Sequence, residues 1–220
     1  MGLFSNLAGN FGSAPPPLAP VPMPIGVIPY YTQHQQQIAL KVRERKMSFS
    51  GDDFTVKDAM SGQVMFKVEG SSLSIRDNKK RTSLLIPAIV DARGQKLFKL
   101  KKKLIAIHAT YIGTAPNSDE EVFKIKSSLS FGTKLTATFR NVAGDGKETE
   151  LVLRGNILDR SAEITTSSGI PVARISRSFM NAGEAFFDKQ TYILTIAPGV
   201  DAALLLAICI CLDEKANESD

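Results

Sequence analysis

The 220-residue sequence has few of the residues on which catalytic and metal sites depend. It contains two cysteines, two histidines and no tryptophan. Cys209 and Cys211 lie two positions apart in an apolar run, so they can build neither a disulfide framework nor a metal quartet. We therefore predict a reducing, cytoplasmic environment and no metal site. Phosphate-loop and nucleophile-elbow motifs are also absent from the sequence, which predicts no cofactor.

The two histidines have surroundings that favour structural roles over catalysis. His34 lies in a glutamine-rich stretch and is expected to be solvated. His108 lies in the apolar stretch Leu104–Ile112, which we interpret as a strand with a hydrogen-bonded structural histidine. The loop carboxylates Asp52-Asp53 and Asp119-Glu120-Glu121 lack the spacing of a calcium loop. The sequence thus predicts a protein without catalytic residues.

Charge is absent from the first 40 residues, which also hold seven of the eleven prolines. Such a segment cannot propagate a helix or a central strand, and its few large apolar groups do not offset the entropy of ordering. We predict a flexible leader over residues 1–37 whose removal leaves folding intact. The run Pro15–Pro24 includes a PxxP pattern at Pro17 and Pro20. An SH3 or WW domain is therefore an expected partner, and a plain flexible leader is the alternative.

The N-terminus carries no clear targeting signal. No basic region precedes an unbroken apolar stretch, so no secretory signal is predicted. The start Met1-Gly2 is typical of N-myristoylation, but Asn6 stands where the pattern has Ser or Thr. The sequence leaves lipidation of this end open.

Short stretches rich in Val, Ile, Phe and Thr recur from residue 42 onward at intervals of roughly 8 to 12 residues, a spacing typical of all-β proteins. Glycine, Asn and Asp separate them. The predicted strands are Val42–Met47, Phe54–Lys57, Val64–Val68, Leu73–Ile75, Leu84–Val90, Lys96–Lys101, Leu104–Ile112, Val122–Lys126, Leu135–Arg140, Glu150–Arg154, Ala162–Thr166, Val172–Ser176 and Thr191–Ala197.

One hairpin unit recurs three times among these strands. Each copy has a turn glycine and, five positions later, a basic residue between two apolar ones in the returning strand. The pairs are Gly62 with Lys67, Gly94 with Lys99, and Gly169 with Arg174. The glycine supplies the positive φ of a tight turn, so each unit is predicted to be a β-hairpin that buries one face.

The stretch at about 200–212 predicts a helix that is apolar on all sides and therefore fully buried. It is too short to span a bilayer, which needs about 20 residues. Threading this helix through a closed barrel would bury it and would also remove the exposed edges of many short strands. The predicted buried residues are Leu204, Leu205, Ala207, Ile208 and Cys211.

Three stretches of the sequence resemble the LURP-one-related family. They are Lys46–Asp58, Gly62–Val68 and the ending Thr191–Asp213, in which Pro198-Gly199-Val200-Asp201 leads into the apolar helix. The resemblance covers about residues 38–214, which we expect to form one domain followed by a polar tail over residues 215–220. One departure is Tyr111, since family members often have Trp shortly after the histidine that His108 matches.

The resemblance implies a tubby C-terminal-like fold: a twelve-stranded antiparallel barrel that encloses a hydrophobic C-terminal helix. It also implies no established enzymatic activity, and a role in signalling or defence, because plant members are linked to pathogen defence. Proteins of related fold include the tubby domain, which binds phosphatidylinositol bisphosphate. None of their ligand residues can be matched to positions in this sequence.

A basic block lies in the first third of the predicted domain, where residues 41–103 hold 16 Lys and Arg against 7 Asp and Glu. A period of two places Lys99, Lys101 and Lys103 on one strand face, opposite Phe98, Leu100 and Leu104. A nearby turn adds three more basic residues. The candidate residues for binding an anionic headgroup are Lys79, Lys80, Arg81, Lys99, Lys101 and Lys103.

This block favours a binding module that docks on anionic, phosphoinositide-containing membranes and is therefore peripheral. Two alternatives remain: a strand kept soluble by its lysines, and a protein-interaction adaptor with no lipid function. Nucleic acid is disfavoured because no aromatic side chains are placed on the basic strands to stack with bases.

Overall fold

Twelve antiparallel strands form a closed barrel in the computed structural model, which confirms the predicted fold class. The structure describes residues 15–43, 53–70, 83–104, 106–128, 133–156, 161–176 and 191–217. Each strand pairs with its neighbours in sequence, and β1 pairs with β12 to close the barrel. The strands are β1 (Ile38–Arg43), β2 (Phe54–Asp58), β3 (Val64–Glu69), β4 (Ser83–Asp91), β5 (Lys96–Lys103), β6 (Thr110–Thr114), β7 (Glu121–Ser127), β8 (Thr133–Arg140), β9 (Glu148–Asn156), β10 (Ser161–Thr166), β11 (Pro171–Ser176) and β12 (Thr191–Ile196).

The strand sequences alternate because one face of each strand lines the barrel and the other meets solvent. In β8, Leu135, Ala137 and Phe139 are at most 3% exposed. The residues between them are partly exposed. This alternation explains why most of the predicted strands lie within a few residues of the observed ones.

Two predicted strands differ from the structure, and a third cannot be compared. β1 begins at Ile38 instead of Val42, because Ile38 pairs with Ile196 of β12. β6 begins at Thr110 instead of Leu104, because the chain leaves β5 after Lys103 and forms a loop. The stretch Leu73–Ile75 lies outside the described residues.

The three predicted hairpins share one geometry. Gly62, Gly94 and Gly169 have φ values of 72°, 87° and 87°, which confirms the positive φ expected of them. In each hairpin, the residue four positions after the glycine pairs with a residue of the preceding strand. The register of the two strands shifts between this pair and the turn. A bulge at the same offset in all three copies indicates a true structural repeat.

Helix α1 (Ala202–Asn217) runs through the barrel. Leu204, Leu205, Ala207, Ile208 and Cys211 are at most 1% exposed. Burial also raises the pKa of both cysteine thiols well above its usual value. The helix is apolar on every side because the barrel wall surrounds it. No helix in the described part of the chain is both long and apolar enough to cross a membrane.

The helix extends beyond the predicted end at residue 212. Asp213 and Glu214, expected to mark the return to water, are only 8% and 4% exposed. The hydroxyl of Tyr192 on β12 donates a hydrogen bond to Asp213 at 3.0 Å. The polar residues therefore end the apolar sequence without ending the buried helix.

The two ends of the barrel differ. Strands alternate in direction, so the turns after β2, β4, β6, β8 and β10 all lie at one end, which we call the turn end. The entry into α1 also lies there, because it follows β12. At the opposite end, called the loop end, the chain passes from β5 to β6 through residues 104–109.

The expected flexible leader is wrong for residues 15–37, which pack across the turn end. Leu18, Ile25 and Val27 are at most 8% exposed and belong to the hydrophobic core. The backbone amides of Val21 and Ile25 donate to the carbonyl oxygens of Pro198 and Gly199 at 3.1 and 3.0 Å. A few apolar side chains suffice to order the segment, because they fill the barrel mouth around the helix entry. Removal of residues 15–37 is therefore not expected to leave folding intact.

The proline-rich part of this segment is only partly accessible. Pro17 and Pro20 are exposed, whereas Leu18 between them is buried. The Arg174 guanidinium donates to the carbonyl oxygen of Pro16 at 2.6 Å. Recognition of the PxxP pattern by an SH3 or WW domain stays a prediction, and the partner would have to bind a segment already seated on the barrel.

Asp201 connects this segment to the start of α1. Its Oδ1 accepts hydrogen bonds from the amides of Ala203 and Leu204, which caps the helix. Its Oδ2 accepts from the amides of Val27 and Ile28 at 3.0 and 2.8 Å. Burial raises the pKa of Asp201 to about 6, although the four amide donors act in the opposite direction.

Three further residues fix the same segment. Gly26 approaches so closely that an added Cβ would overlap Asp201. Asn141, in the turn after β8, accepts from the Gly26 amide and donates to the Pro24 carbonyl. His34, expected to be solvated, is half-buried, and its Nε2 lies 2.8 Å from the carbonyl oxygen of Val200.

We expect Asp201→Asn to lower the free energy of unfolding by about 2 kcal/mol or more, as measured by chemical denaturation. An amide has one acceptor oxygen, so its NH₂ group would face two backbone N–H donors. Asp145→Asn in a turn at the same end is the control and should change stability by less than about 0.5 kcal/mol. Equal stabilities for the two variants would contradict the role given to Asp201.

Leu205→Asp is expected to prevent folding, because it places a carboxylate without a partner inside the barrel. Leu205 is 0% exposed, whereas Val142 in the turn after β8 is 55% exposed. Val142→Asp should therefore melt like the unmodified protein in circular dichroism. A Leu205→Asp variant that is soluble and melts cooperatively would rule out the enclosed helix.

Candidate anion-binding surface

Lys99, Lys101 and Lys103 alternate along β5 with residues that face the barrel interior. Phe98 and Leu100 are at most 1% exposed, so the three lysines lie on the outer face of this strand. Leu104, predicted to face inward, follows the end of β5 and is 45% exposed. Lys79, Lys80 and Arg81 lie outside the described residues.

Lys102 belongs to the other face of β5. It pairs with Tyr111 of β6, which is fully buried. The run of lysines at residues 101–103 therefore does not form one continuous charged face. The outer face must be completed by residues from other strands.

Two lysines of β7, Lys124 and Lys126, lie on the same outer face of the barrel as Lys101 and Lys103. In the sheet register, Thr110 of β6 lies between Lys103 and Lys126, and Ile112 lies between Lys101 and Lys124. Strands two positions apart are about 10 Å apart, and alternate residues of one strand are about 7 Å apart. The four lysines Lys101, Lys103, Lys124 and Lys126 thus form two short rows, which we call the lysine cluster.

The row nearer the turn end is compensated by carboxylates. The ammonium of Lys101 contacts Asp119, which holds the pKa of that carboxyl below its usual value through a hydrogen bond and charge attraction. The ammonium of Lys124 lies 2.9 Å from Glu121. These exposed ion pairs contribute little stability, but they reduce the positive potential of this row.

The row nearer the loop end, Lys103 and Lys126, keeps its positive charge. Both residues are exposed, and neither forms an ion pair with a carboxylate of the described residues. On β8, Thr136 lies opposite Lys126, and Lys134 lies two residues nearer the loop end. Lys134 is directly opposite Arg154 of β9, and Arg154 in turn lies opposite Glu163 of β10, which offsets part of the repulsion between the two like charges.

The loop between β5 and β6 begins next to this row. Ile107 at its tip is 91% exposed. The loop's second half is held in place: the Ser127 amide donates to the Ala109 carbonyl, and the Thr110 hydroxyl donates to the His108 carbonyl, both at 2.9 Å. The side chain of His108 is half-buried, and its Nδ1 has no hydrogen-bond partner among the described residues, contrary to our expectation.

Sequence reasoning found Lys101 and Lys103 but missed their partners on β7. The segment Lys124-Ile125-Lys126 has the same alternating pattern as β5. The sequence alone does not place these two patterns side by side, because their proximity depends on the β5–β6–β7 meander and its register. The part of the chain that the structure describes contains no group of three His, Cys, Asp or Glu residues suited to a metal ion.

Comparison with known proteins identifies relatives along most of the chain. The model of the LURP-one-related family matches residues 38–213. Three Arabidopsis thaliana proteins show similarity: LURP-one-related 12 is 24% identical over 82% of this chain and 79% of its own; LURP-one-related 15 is 25% identical over 91% and 90%; and LURP-one-related 1 is 25% identical over 94% and 88%.

One solved structure, a crystal structure of an Arabidopsis thaliana protein, shares the fold. Its TM-score is 0.55 at 17% sequence identity, over 86% of this chain and 97% of that one.

The longer alignments include part of the segment that packs across the turn end. Residues 38–220 make up 183 of the 220 residues. This is a smaller share of the chain than the 91% and 94% covered by the alignments with LURP-one-related 15 and LURP-one-related 1. Those alignments therefore extend into the residues before Ile38. The segment that Asp201 binds through the Val27 and Ile28 amides therefore has counterparts in these two relatives.

Proposed function

We propose that this chain, which belongs to the LURP-one-related family, is a non-enzymatic module that docks on anionic membrane surfaces through the lysine cluster. The observation that carries the proposal is the row formed by Lys103 and Lys126 at the loop end. The proposal places the protein at the cytoplasmic leaflet, where anionic lipids are concentrated.

The cluster has the charge and spacing to attract lipid phosphates. Each basic side chain near an anionic leaflet contributes about 1 kcal/mol, so the four lysines give at most about 4 kcal/mol, less what Asp119 and Glu121 offset. The upper figure corresponds to a dissociation constant of about 1 mM. A multiply charged phosphoinositide headgroup would engage several lysines at once, and the tubby-like resemblance makes phosphatidylinositol bisphosphate the first lipid to test.

The proposed absence of catalysis is supported by the chemistry of the cysteines. Both thiols lie inside the barrel, and burial raises their pKa. A thiol in that state does not supply the thiolate that nucleophilic catalysis requires. The lysines of the cluster lie on an open strand face, which suits charge attraction better than a catalytic role in a water-excluding site.

The double variant Lys103→Glu with Lys126→Glu should bind anionic vesicles at least about thirtyfold more weakly, because two contributions of about 1 kcal/mol are lost and two repulsions are added. Binding is measured by sedimentation with phosphatidylcholine vesicles that contain phosphatidylinositol bisphosphate, at low salt. Unmodified protein should bind more weakly as salt is raised.

The matched control is Lys57→Glu with Lys147→Glu, which changes the net charge equally. Lys57 is exposed on β2, and the side chain of Lys147 at the turn end is 81% exposed. This control should retain most of the binding. If both double variants lose binding equally, general charge and not the cluster is responsible; if unmodified protein does not bind, the adaptor hypothesis without a lipid function replaces this one.

A further inference from the structure

Residues 104 and 106–109, which lie between β5 and β6, include exposed apolar side chains. Leu104 and Ile107 are 45% and 91% exposed, and Ala106 is also exposed. These three residues were predicted to lie in a strand, but they lie outside both β5 and β6. Exposed apolar residues close together indicate a contact surface.

The loop is anchored in a way that displays its tip. It leaves β5 directly after Lys103, and Thr110, the first residue beyond it, pairs with Lys126. Hydrogen bonds to the carbonyls of His108 and Ala109 fix its return into β6. The apolar tip therefore projects from between the two lysines of the positively charged row.

An apolar loop flanked by lysines fits the boundary between the headgroups and the acyl chains of an anionic bilayer. Apolar side chains enter that boundary while flanking basic residues contact lipid phosphates. At the turn end, two exposed apolar residues lie in turns that also hold a carboxylate: Met60 is 80% exposed in the turn of Asp58, and Val142 is 55% exposed in the turn of Asp145, which pairs with Lys147. Charge complementarity thus selects the loop end as the side that faces the membrane.

We propose that Ile107 and Leu104 insert into the bilayer when the lysine cluster rests on an anionic leaflet. This inference rests on the proposed function and adds a penetrating contact that would set the orientation of the barrel. It predicts a component of binding that persists in salt, because burial of an apolar side chain does not depend on counterions.

The absence of tryptophan from the chain provides a direct test. Ile107→Trp introduces a single fluorophore, and its emission should shift to shorter wavelength with phosphatidylinositol bisphosphate vesicles and be quenched by lipids brominated in the acyl chain. Met60→Trp at the turn end is the matched control and should show neither effect. The soluble headgroup of this lipid, inositol trisphosphate, should leave the Ile107→Trp emission unchanged.

The outcomes separate this inference from the proposed function. If the Ile107→Trp protein sediments with vesicles without a shift or quenching, insertion is wrong and electrostatic docking stands. A shift with the soluble headgroup would also overturn insertion, because it requires no bilayer. If no vesicle binding occurs at all, both ideas fail.

A second variant does not depend on fluorescence. Ile107→Ser should weaken vesicle binding about tenfold, in line with the loss of one inserted aliphatic side chain. Its dependence on salt concentration should match that of the unmodified protein, because the lysines are unchanged. Unaltered binding by Ile107→Ser, with Met60→Ser as control, would refute the proposed insertion.

Discussion

Asp201 joins parts of the molecule that are far apart in sequence. One oxygen caps helix α1, and the other binds the backbone of residues 27 and 28. A buried carboxylate is costly unless its lone pairs are satisfied, and here four amides satisfy them. The same amides would otherwise be unpaired donors at an apolar barrel mouth. Asp201 therefore couples the helix entry to closure of the turn end.

The two ends of the barrel are built differently. The turn end is occupied by compact hairpins, the helix entry and residues 15–37. At the loop end, Lys103 and Lys126 lie beside a loop in which Ile107 is exposed. The turn end thus completes the core, and the proposed docking assigns the membrane contact to the loop end.

The fold was predictable from the sequence because its determinants are local or strongly periodic. The turn glycines Gly62, Gly94 and Gly169 mark three hairpins by themselves, and the all-round apolar helix requires an enclosure. The order of residues 15–37 was not predictable, because their stability comes from Asp201 and Asn141, more than 100 positions away. Proline and the lack of charge favour a flexible leader only when such long-range contacts are ignored.

The candidate site was predictable only in part, for a related reason. Alternation along β5 identifies the outward lysines, but adding Lys124 and Lys126 requires the register of three strands. Alternation also cannot show which lysines are compensated. Asp119, in the turn between β6 and β7, contacts Lys101 of β5, and Glu121 at the start of β7 pairs with Lys124 of the same strand. Leu104, Ala106 and Ile107 were predicted to lie in a strand, because apolar composition alone does not distinguish a strand from an exposed loop.

The effect of the exposed isoleucine in this loop depends on what surrounds it. An exposed isoleucine costs solubility in water, and adjacent lysines reduce that cost by keeping copies of the protein apart through repulsion. In the proposed docking, the same lysines are attracted to an anionic surface, and the isoleucine gains an apolar environment. The proposal thus assigns to the loop end a contact that is disfavoured between copies of the protein and favoured on a charged bilayer.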